Sequence, residues 1–312
     1  MRGNWWRLGR LPLDTASASW AVSHAALPLA DLIEPGAWHL YLSPRDGEGR
    51  ARIGRTRLTL EPTPRLAPLE PDPVLDLGSL GAFDDSGVTV SCLVTDGGRK
   101  LLYYTGWTRG VTVPFYLFAG LAVSEDGGRT FQRASPAPLL DRTTDDPYLT
   151  ASPFVLIEDG RWRMWYVSGS SWEHAPGGPR HRYHIRYADS EDGMRWERRR
   201  GAAIDYATAE EHAFSRPFVA HDADGYRMWY AYRGQRYRIG CARSPDGLTW
   251  SRCDDGGLDP SGEGWDSESV AYPWILDANG RRYMLYNGND YGRTGVGLAV
   301  YEPLRASSPL AL

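Results

Sequence analysis

Five short stretches of this 312-residue chain run up to a shared anchor position, and four of them carry a carboxylate seven residues before it. The anchors are Pro28, Cys92, Pro153, Pro217 and Pro273, and the earlier position reads Ala21, Asp85, Asp146, Glu210 and Asp266. Asp84, Asp145, Glu211 and Glu268 lie close by in sequence. Carboxyl groups gathered at one place raise some of one another's pKa values, so that one stays protonated while another is ionised. Such a set suits general acid and base work. Cleavage of a glycosidic bond uses it directly, with one acid protonating the leaving oxygen and one carboxylate acting as base or nucleophile. The catalytic candidates are therefore Asp85, Asp146, Glu210, Glu211, Asp266 and Glu268. The structural alternative is that these acids cap strand ends or pair with Arg216 and other arginines.

The elements that must position these acids repeat with them. The anchors lie 64, 61, 64 and 56 residues apart. After each comes an aromatic-rich alternating stretch: WHLYLS from Trp38, KLLYYTGW from Lys100, RWRMWYVSG from Arg161, YRMWYAYRG from Tyr226 and RRYMLYNGN from Arg281. Third stretches follow, namely ARIGRTRL, FAGLAVS, HIRYADS, RIGCARS and GVGLAVY. Apolar and polar residues alternate with period two, Asp-Gly turns separate the runs, and no helical periodicity persists. Repeats of this size with three or four antiparallel strands describe propeller blades. The expectation is an all-β chain, a single five-bladed β-propeller domain over residues 1–312 with four-stranded antiparallel blades. Its inner strands fall near residues 23–31, 85–94, 146–156, 210–220 and 266–276. Trp5 to Leu11 supplies the outer strand of the last blade and closes the ring, which removes exposed edges. The proline-rich run Glu61 to Leu75 reads as an extended outer segment.

Strand direction divides the loops between two faces. Inner strands that begin at one face, here face X, return the second-to-third loop of each blade to that same face. The acids and the irregular loops from Gly106, Ser168, Arg233 and Asn287 therefore share face X. Variable loops on a repetitive scaffold are where binding resides. Trp107, Trp172 and Tyr291 on these loops are placed to stack on a sugar ring or to pack between blades. His24, Asp84, His212, Arg216 and Asn287 complete the substrate-binding candidates. His24 and His212 show no local ligand spacing, so no metal site and no cofactor is expected. The opposite face receives short turns, among them SEDGGRTF, SEDGMRW and SPDGLTW. SEDGGRTF fits the S-x-D-x-G-x-T-F pattern of the Asp-box of sialidases and other propellers, where the aspartate stabilises a turn through backbone amides.

Five repeats, inner-strand carboxylates and the Asp146-Pro147 pair resemble the five-bladed propeller glycosidases of glycoside hydrolase families 32, 43, 62 and 68. The order Asp85, Asp146, then Glu210 or Glu211 is similar to that superfamily's base or nucleophile, pKa-tuning aspartate and general-acid glutamate. Two departures stand out. The first inner strand offers Ser23 and His24 where those families place their first aspartate, and the fifth supplies Asp266 with Glu268, a rival acid. FDDSGVT, DPYLTASP, YRIG and WDSES also look like a propeller group of bacterial surface-polysaccharide and other biosynthetic loci. The resemblance implies a carbohydrate-active enzyme, hydrolase or transglycosylase. The alternatives are a lyase, cyclase or isomerase on the same scaffold, or a non-catalytic sugar- or protein-binding propeller.

Composition agrees with a folded, near-neutral protein. The formal net charge is −4 and the hydrophobic fraction 42%, with 13 Trp and 18 Tyr. No basic surface for nucleic acid is indicated, and no apolar run has the length of a membrane span or a signal-peptide core. Cys92, Cys241 and Cys253 are odd in number and unpaired in spacing, which argues against a disulfide framework. The expectation is a cytoplasmic protein with a small-molecule or saccharide substrate and no nucleic-acid or membrane partner.

Overall fold

The alternating runs form strands in the expected order. The computed structural model describes residues 3–303, and the ends 1–2 and 304–312 of the domain expected over 1–312 lie outside the described residues. After β1 (Gly3–Leu11), the first sheet takes β2 (Ser23–Glu34), β3 (Ala37–Arg45), β4 (Gly54–Thr59) and β5 (Arg65–Leu66) in chain order. The second sheet takes β6 (Gly87–Asp96), β7 (Arg99–Arg109), β8 (Phe115–Ser124) and β9 (Gln132–Arg133). Next come β10 (Thr150–Glu158), β11 (Arg161–Ala175), β12 (Gly178–Ser190) and β13 (Glu197–Arg198), then β14 (Ala213–Asp222), β15 (Gly225–Arg233), β16 (Tyr237–Ser244) and β17 (Ser251–Arg252). A single parallel pair, Tyr183 with Ala213, joins these last two sets into one sheet. The final sheet holds β18 (Ala271–Ala278), β19 (Arg281–Asn287) and β20 (Val296–Pro303), with β1 antiparallel to β20 from Gly3 opposite Pro303 to Leu11 opposite Val296. The strands that begin each set pack in the order β2, β6, β10, β14, β18 and back to β2. The fold is a nearly all-β propeller of antiparallel sheets.

The second strand of each of the first three sets ties it to the next. Tyr41 Oη donates to the Gly128 carbonyl at 3.1 Å, Tyr103 Oη to Gly193 at 2.8 Å, and Trp165 Nε1 to Gly247 at 2.9 Å. Those glycines sit in the three Ser-x-Asp-Gly turns. There Asp126, Asp192 and Asp246 each accept two backbone amides from the residues that follow, so the turns are self-braced and hold out a carbonyl for the neighbouring sheet. Buried aromatic side chains such as Trp165, Trp229, Tyr103 and Tyr230 fill the space between sheets. No helix among the described residues is long and apolar enough to cross a membrane.

The five inner strands β2, β6, β10, β14 and β18 each accommodate one extra residue at the anchor, seen as a register shift against the second strand. Four of them hold a non-glycine residue in left-handed backbone just before the anchor proline: Leu27 (φ 54°), Ser152 (46°), Arg216 (51°) and Tyr272 (59°). Such strain costs roughly 1–3 kcal/mol per residue and persists only where the surroundings dictate it. The bulge also corrects the internal alignment. Cys92 pairs with Tyr103 as Phe154 pairs with Trp165, so the counterpart of Pro153 is Ser91, and the acid of the second set is Asp84 rather than Asp85.

Candidate functional site

The acid column is a set of buried latches, one inside each of four of the five strand sets. Asp84 accepts Tyr104 Oη at 2.9 Å and Arg133 Nε at 2.7 Å. Asp146 accepts Tyr166 Oη (3.0 Å), Ser168 Oγ (2.5 Å), Arg186 Nη1 (2.7 Å) and Arg198 Nη1 (2.9 Å). Glu211, not Glu210, holds the place in the fourth set and accepts Arg252 Nη1 at 2.6 Å and the Ala207 amide at 2.8 Å. Asp266 accepts Tyr286 Oη (3.0 Å), Arg7 Nε (2.7 Å) and Ser261 Oγ (2.7 Å). All four acids are buried. The tyrosine comes from the second strand and an arginine from the outer strand, including β1. Opposite the tyrosine the third strand carries Gly120, Gly240 or Gly297, and a Cβ there would lie within 3 Å of the ring. β12 instead has Arg186, which adds the second cation on Asp146.

This geometry corrects the expectation that the column gathers its acids at one place with raised pKa values. Each acid bonds within its own sheet, and none bonds another acid. Burial works against ionisation of Asp146, but hydrogen bonds from Ser168 and Arg198 and the charge of Arg186 outweigh it and hold the carboxyl below the usual range. At Asp266, burial is likewise outweighed by Ser261, Arg7 and Tyr286. In the first set the three places hold Ala21, Leu42 and Pro68, so acid, tyrosine and arginine are all replaced together by apolar residues. At Glu211 the latch is incomplete: Tyr230 Oη is buried without a hydrogen-bond partner.

The remaining candidates separate into framework and surface. Arg216 is 1% exposed and pairs with no acid. Its guanidinium crosses from β14 to the Val90 carbonyl of β6 and, at 3.0 Å, the Pro28 carbonyl of β2, and lies over Trp274. Burial pulls its pKa down to about 9. Arg216 thus braces the inner strands against one another. Asn287, fully buried, ties the β19–β20 loop to β2 by accepting the Leu27 amide at 2.7 Å and donating to Ala25 O at 2.7 Å. Trp107 lies against Gly87 at the start of β6. Asp85, half-buried, accepts the Gly81 amide and Ser86 Oγ, while Glu210 and Glu268 are exposed. Among the described residues no basic side chain lies within ion-pair distance of these three acids.

Above face X an aromatic and cationic mouth takes shape around Tyr291, Trp172, His24 and His212. Tyr183 and Tyr237, at equal places on β12 and β16, share a hydrogen bond of 2.7 Å between hydroxyls. Tyr291 packs edge-on to Tyr237, with centroids 5.8 Å apart, and accepts Arg233 Nη1 at 3.0 Å. Tyr272, held out by its left-handed backbone, is a neighbour of Tyr237, Tyr291, Arg45 and Arg216; burial raises its pKa well above the ordinary value, so the phenol stays protonated. The extended hairpins β7–β8 and β11–β12 meet through Phe115 and Trp172, 5.4 Å apart, and His181 stacks on Tyr183 at 4.5 Å. His212 sits behind them, its Nδ1 3.2 Å from Glu210 O.

His24 has left-handed backbone (φ 62°) and borders a cavity of about 250 Å³ lined also by Ser23, Arg10, Arg293 and Thr294. Burial, Arg45 and Arg293 drive its pKa down to about 4, against the opposing charge of Asp290. Sequence reasoning missed Tyr183, Tyr237, Tyr272, Arg45 and Arg233. The signal available was the tyrosine that precedes the third-strand core in two consecutive repeats. Among the described residues no group of three His, Cys, Asp or Glu is arranged to hold a metal ion.

Sheet order and strand pairing define a β-propeller fold. A solved structure described as a glycoside hydrolase superposes with a TM-score of 0.76 at 16% identity, covering 100% of this chain and 96% of that one. A thermostable family-43 glycoside hydrolase gives 0.64 at 16% identity, over 93% and 91% of the two chains. A family 32 β-fructofuranosidase of Bombyx mori gives 0.62 at 14%, over 93% and 67%. At these identities the likeness is one of fold. No protein-family model matches the chain. The chain belongs to the family of the uncharacterized protein Rv1502 of Mycobacterium tuberculosis (strain ATCC 25618 / H37Rv), with 42% identity over 299 residues, 96% of this chain and 99% of that protein.

Proposed function

We propose that the chain forms one five-bladed propeller closed by β1, and that its face X mouth binds a saccharide carrying an anionic group as part of a carbohydrate-active enzyme. The cluster of Tyr237, Tyr272 and Tyr291 beside Arg45, Arg233 and His24 carries this reading. Aromatic faces suit the C–H surface of a sugar ring, phenol hydroxyls suit its hydroxyls, and a cation-rich rim suits a carboxylate or phosphate. Arg45 and Arg293, whose charges add to burial in lowering the His24 pKa against that of Asp290, support the same view.

In this reading acid–base work falls to Glu210 and Glu268, which have no arginine partner, with Asp85 in support. The latched Asp146 and Asp266 hold the sheets. Turnover of a panel of aryl glycosides and aryl uronides tests it: Glu268→Gln or Glu210→Gln is expected to lower kcat at least about 100-fold, the scale of general acid–base catalysis. Undiminished turnover in both variants would sink the assignment.

A second reading, a non-hydrolytic biosynthetic enzyme or a sugar-binding propeller, is favoured by one observation: the four column acids are all engaged in latches. It predicts saccharide binding without release of the aryl group, and the same panel followed by calorimetry separates the two.

A further inference from the structure

The third and fourth strands of the β14–β17 set bring two cysteines together that the sequence leaves twelve residues apart. Pairing of Ala242 with Arg252 and of Arg243 with Ser251 places Cys241 directly across from Cys253, and the Cys253 amide donates to the Cys241 carbonyl at 2.8 Å. Side chains directly opposite on an antiparallel pair share one face of the sheet, with Cβ atoms about 4.5–5.5 Å apart, which sets the two thiols side by side. Cys241 is buried and Cys253 half-buried, and both line a cavity of about 290 Å³ with Asn4, Arg252, Asp255 and Gly256. The third cysteine, Cys92, is far off against Val155 and buried.

We propose that Cys241 and Cys253 form a peroxide-oxidisable dithiol, a modification site at the seam where β1 is seated. The half-buried Cys253 is the attacking sulfur. A hydrogen bond from Cys241 and the charge of Arg243 hold its thiol below the ordinary range despite burial, whereas Cys241 is raised by that same contact and by burial. In the first step the Cys253 thiolate attacks one oxygen of hydrogen peroxide, the O–O bond breaks, and hydroxide leaves and is protonated to water. In the second, the Cys241 sulfur attacks the Cys253 sulfenic acid, the S–S bond forms, the S–O bond breaks, and a second water leaves. Two thiols are oxidised by two electrons and one peroxide is reduced to two waters. The consequence is local to the closing strand. Trp5 Nε1 of β1 donates to Gly256 O at 2.8 Å, Trp229 Nε1 donates to the same oxygen at 3.1 Å, and the Gly3 amide reaches Asp255 Oδ2 at 3.3 Å. A disulfide three residues before Gly256 fixes the segment that receives β1.

The test uses the full chain, reduced and then exposed to hydrogen peroxide, read by intact mass and by thiol titration of the native protein. The expected result is loss of about 2 Da without dimer formation, with the rapidly titrating thiol of Cys253 disappearing. Peptide mapping should link residues 241 and 253. Cys253→Ser, at the more exposed position, should abolish the mass loss, and Cys92→Ala should leave it intact. Mass gains of oxygen without the loss of two hydrogens, or an unchanged loss in Cys253→Ser, would overturn the proposal.

Discussion

The latches and the mouth are built from similar side chains and behave in opposite ways. In the latches, Asp84, Asp146 and Asp266 each meet a tyrosine and an arginine at repeated places, buried and mutually neutralised. At the mouth, tyrosines and arginines gather from unlike loops, the nearby Glu210 and Glu268 keep no cation, and burial, aided by Arg45 and Arg293, holds the His24 pKa down. Regularity across the repeats marks scaffold here, and in the proposed function irregularity marks the surface that meets a ligand. The first sheet supports the division, because Ala21, Leu42 and Pro68 abandon the whole latch together rather than stranding one charged member.

The largest effect should come from breaking a latch. Asp146→Ala leaves Arg186 and Arg198 facing a buried gap, and removing one partner of a buried pair costs roughly 3–5 kcal/mol. Urea unfolding should show that loss, and a change below about 1 kcal/mol would break the distinction between latch and mouth. A smaller effect is expected on pH. His24 and His181 are both pushed down to about 4 from 6.5, His24 by burial and Arg45, His181 by burial and His212. The unfolded chain therefore binds more protons than the folded one between those values. Stability should be full above about pH 6.5 and fall as the pH drops toward 4. Asp146 and Asp266 act with the same sign in a lower window, stabilising above the ordinary carboxylate range and losing that contribution as the pH falls through their lowered values. The double variant His24→Gln and His181→Gln should reduce the slope of that upper window, with His39, His184 and His212 supplying the remainder, and leave the carboxylate window unchanged. The smallest effect on stability belongs to Tyr291→Ala, which should shift the unfolding midpoint little yet weaken saccharide binding about tenfold, as titration calorimetry would show.

Much of the scaffold was legible because periodicity is a backbone property. The aromatic second strands, the Ser-x-Asp-Gly turns and the pairing of Trp5 to Leu11 with β20 all follow from alternation and spacing. The acid column was legible as a column and misread as a site. Counting from Cys92 missed the bulge that makes Ser91 the true counterpart, and counting from Pro217 chose Glu210 although the acid lies one residue nearer the anchor. Nor did spacing show where the acids point. Their arginines lie on two-residue outer strands and on β1, too short or too distant in sequence to carry a pattern. The mouth was legible only in part, since Tyr183, Tyr237, Tyr272, Arg45 and Arg233 converge through hairpin length and left-handed backbone. Cys241 and Cys253 were hidden for the same reason, as strand register rather than sequence spacing brings them together.

Asp146→Asn and Glu268→Gln compared side by side test the central claim most directly, with unfolding free energy and saccharide turnover or binding measured on the folded fraction of each. The predicted result is a destabilised Asp146→Asn protein whose folded fraction works at the wild-type level, and a fully stable Glu268→Gln protein that has lost turnover. A stable Asp146→Asn protein without activity, beside an active Glu268→Gln protein, would contradict it.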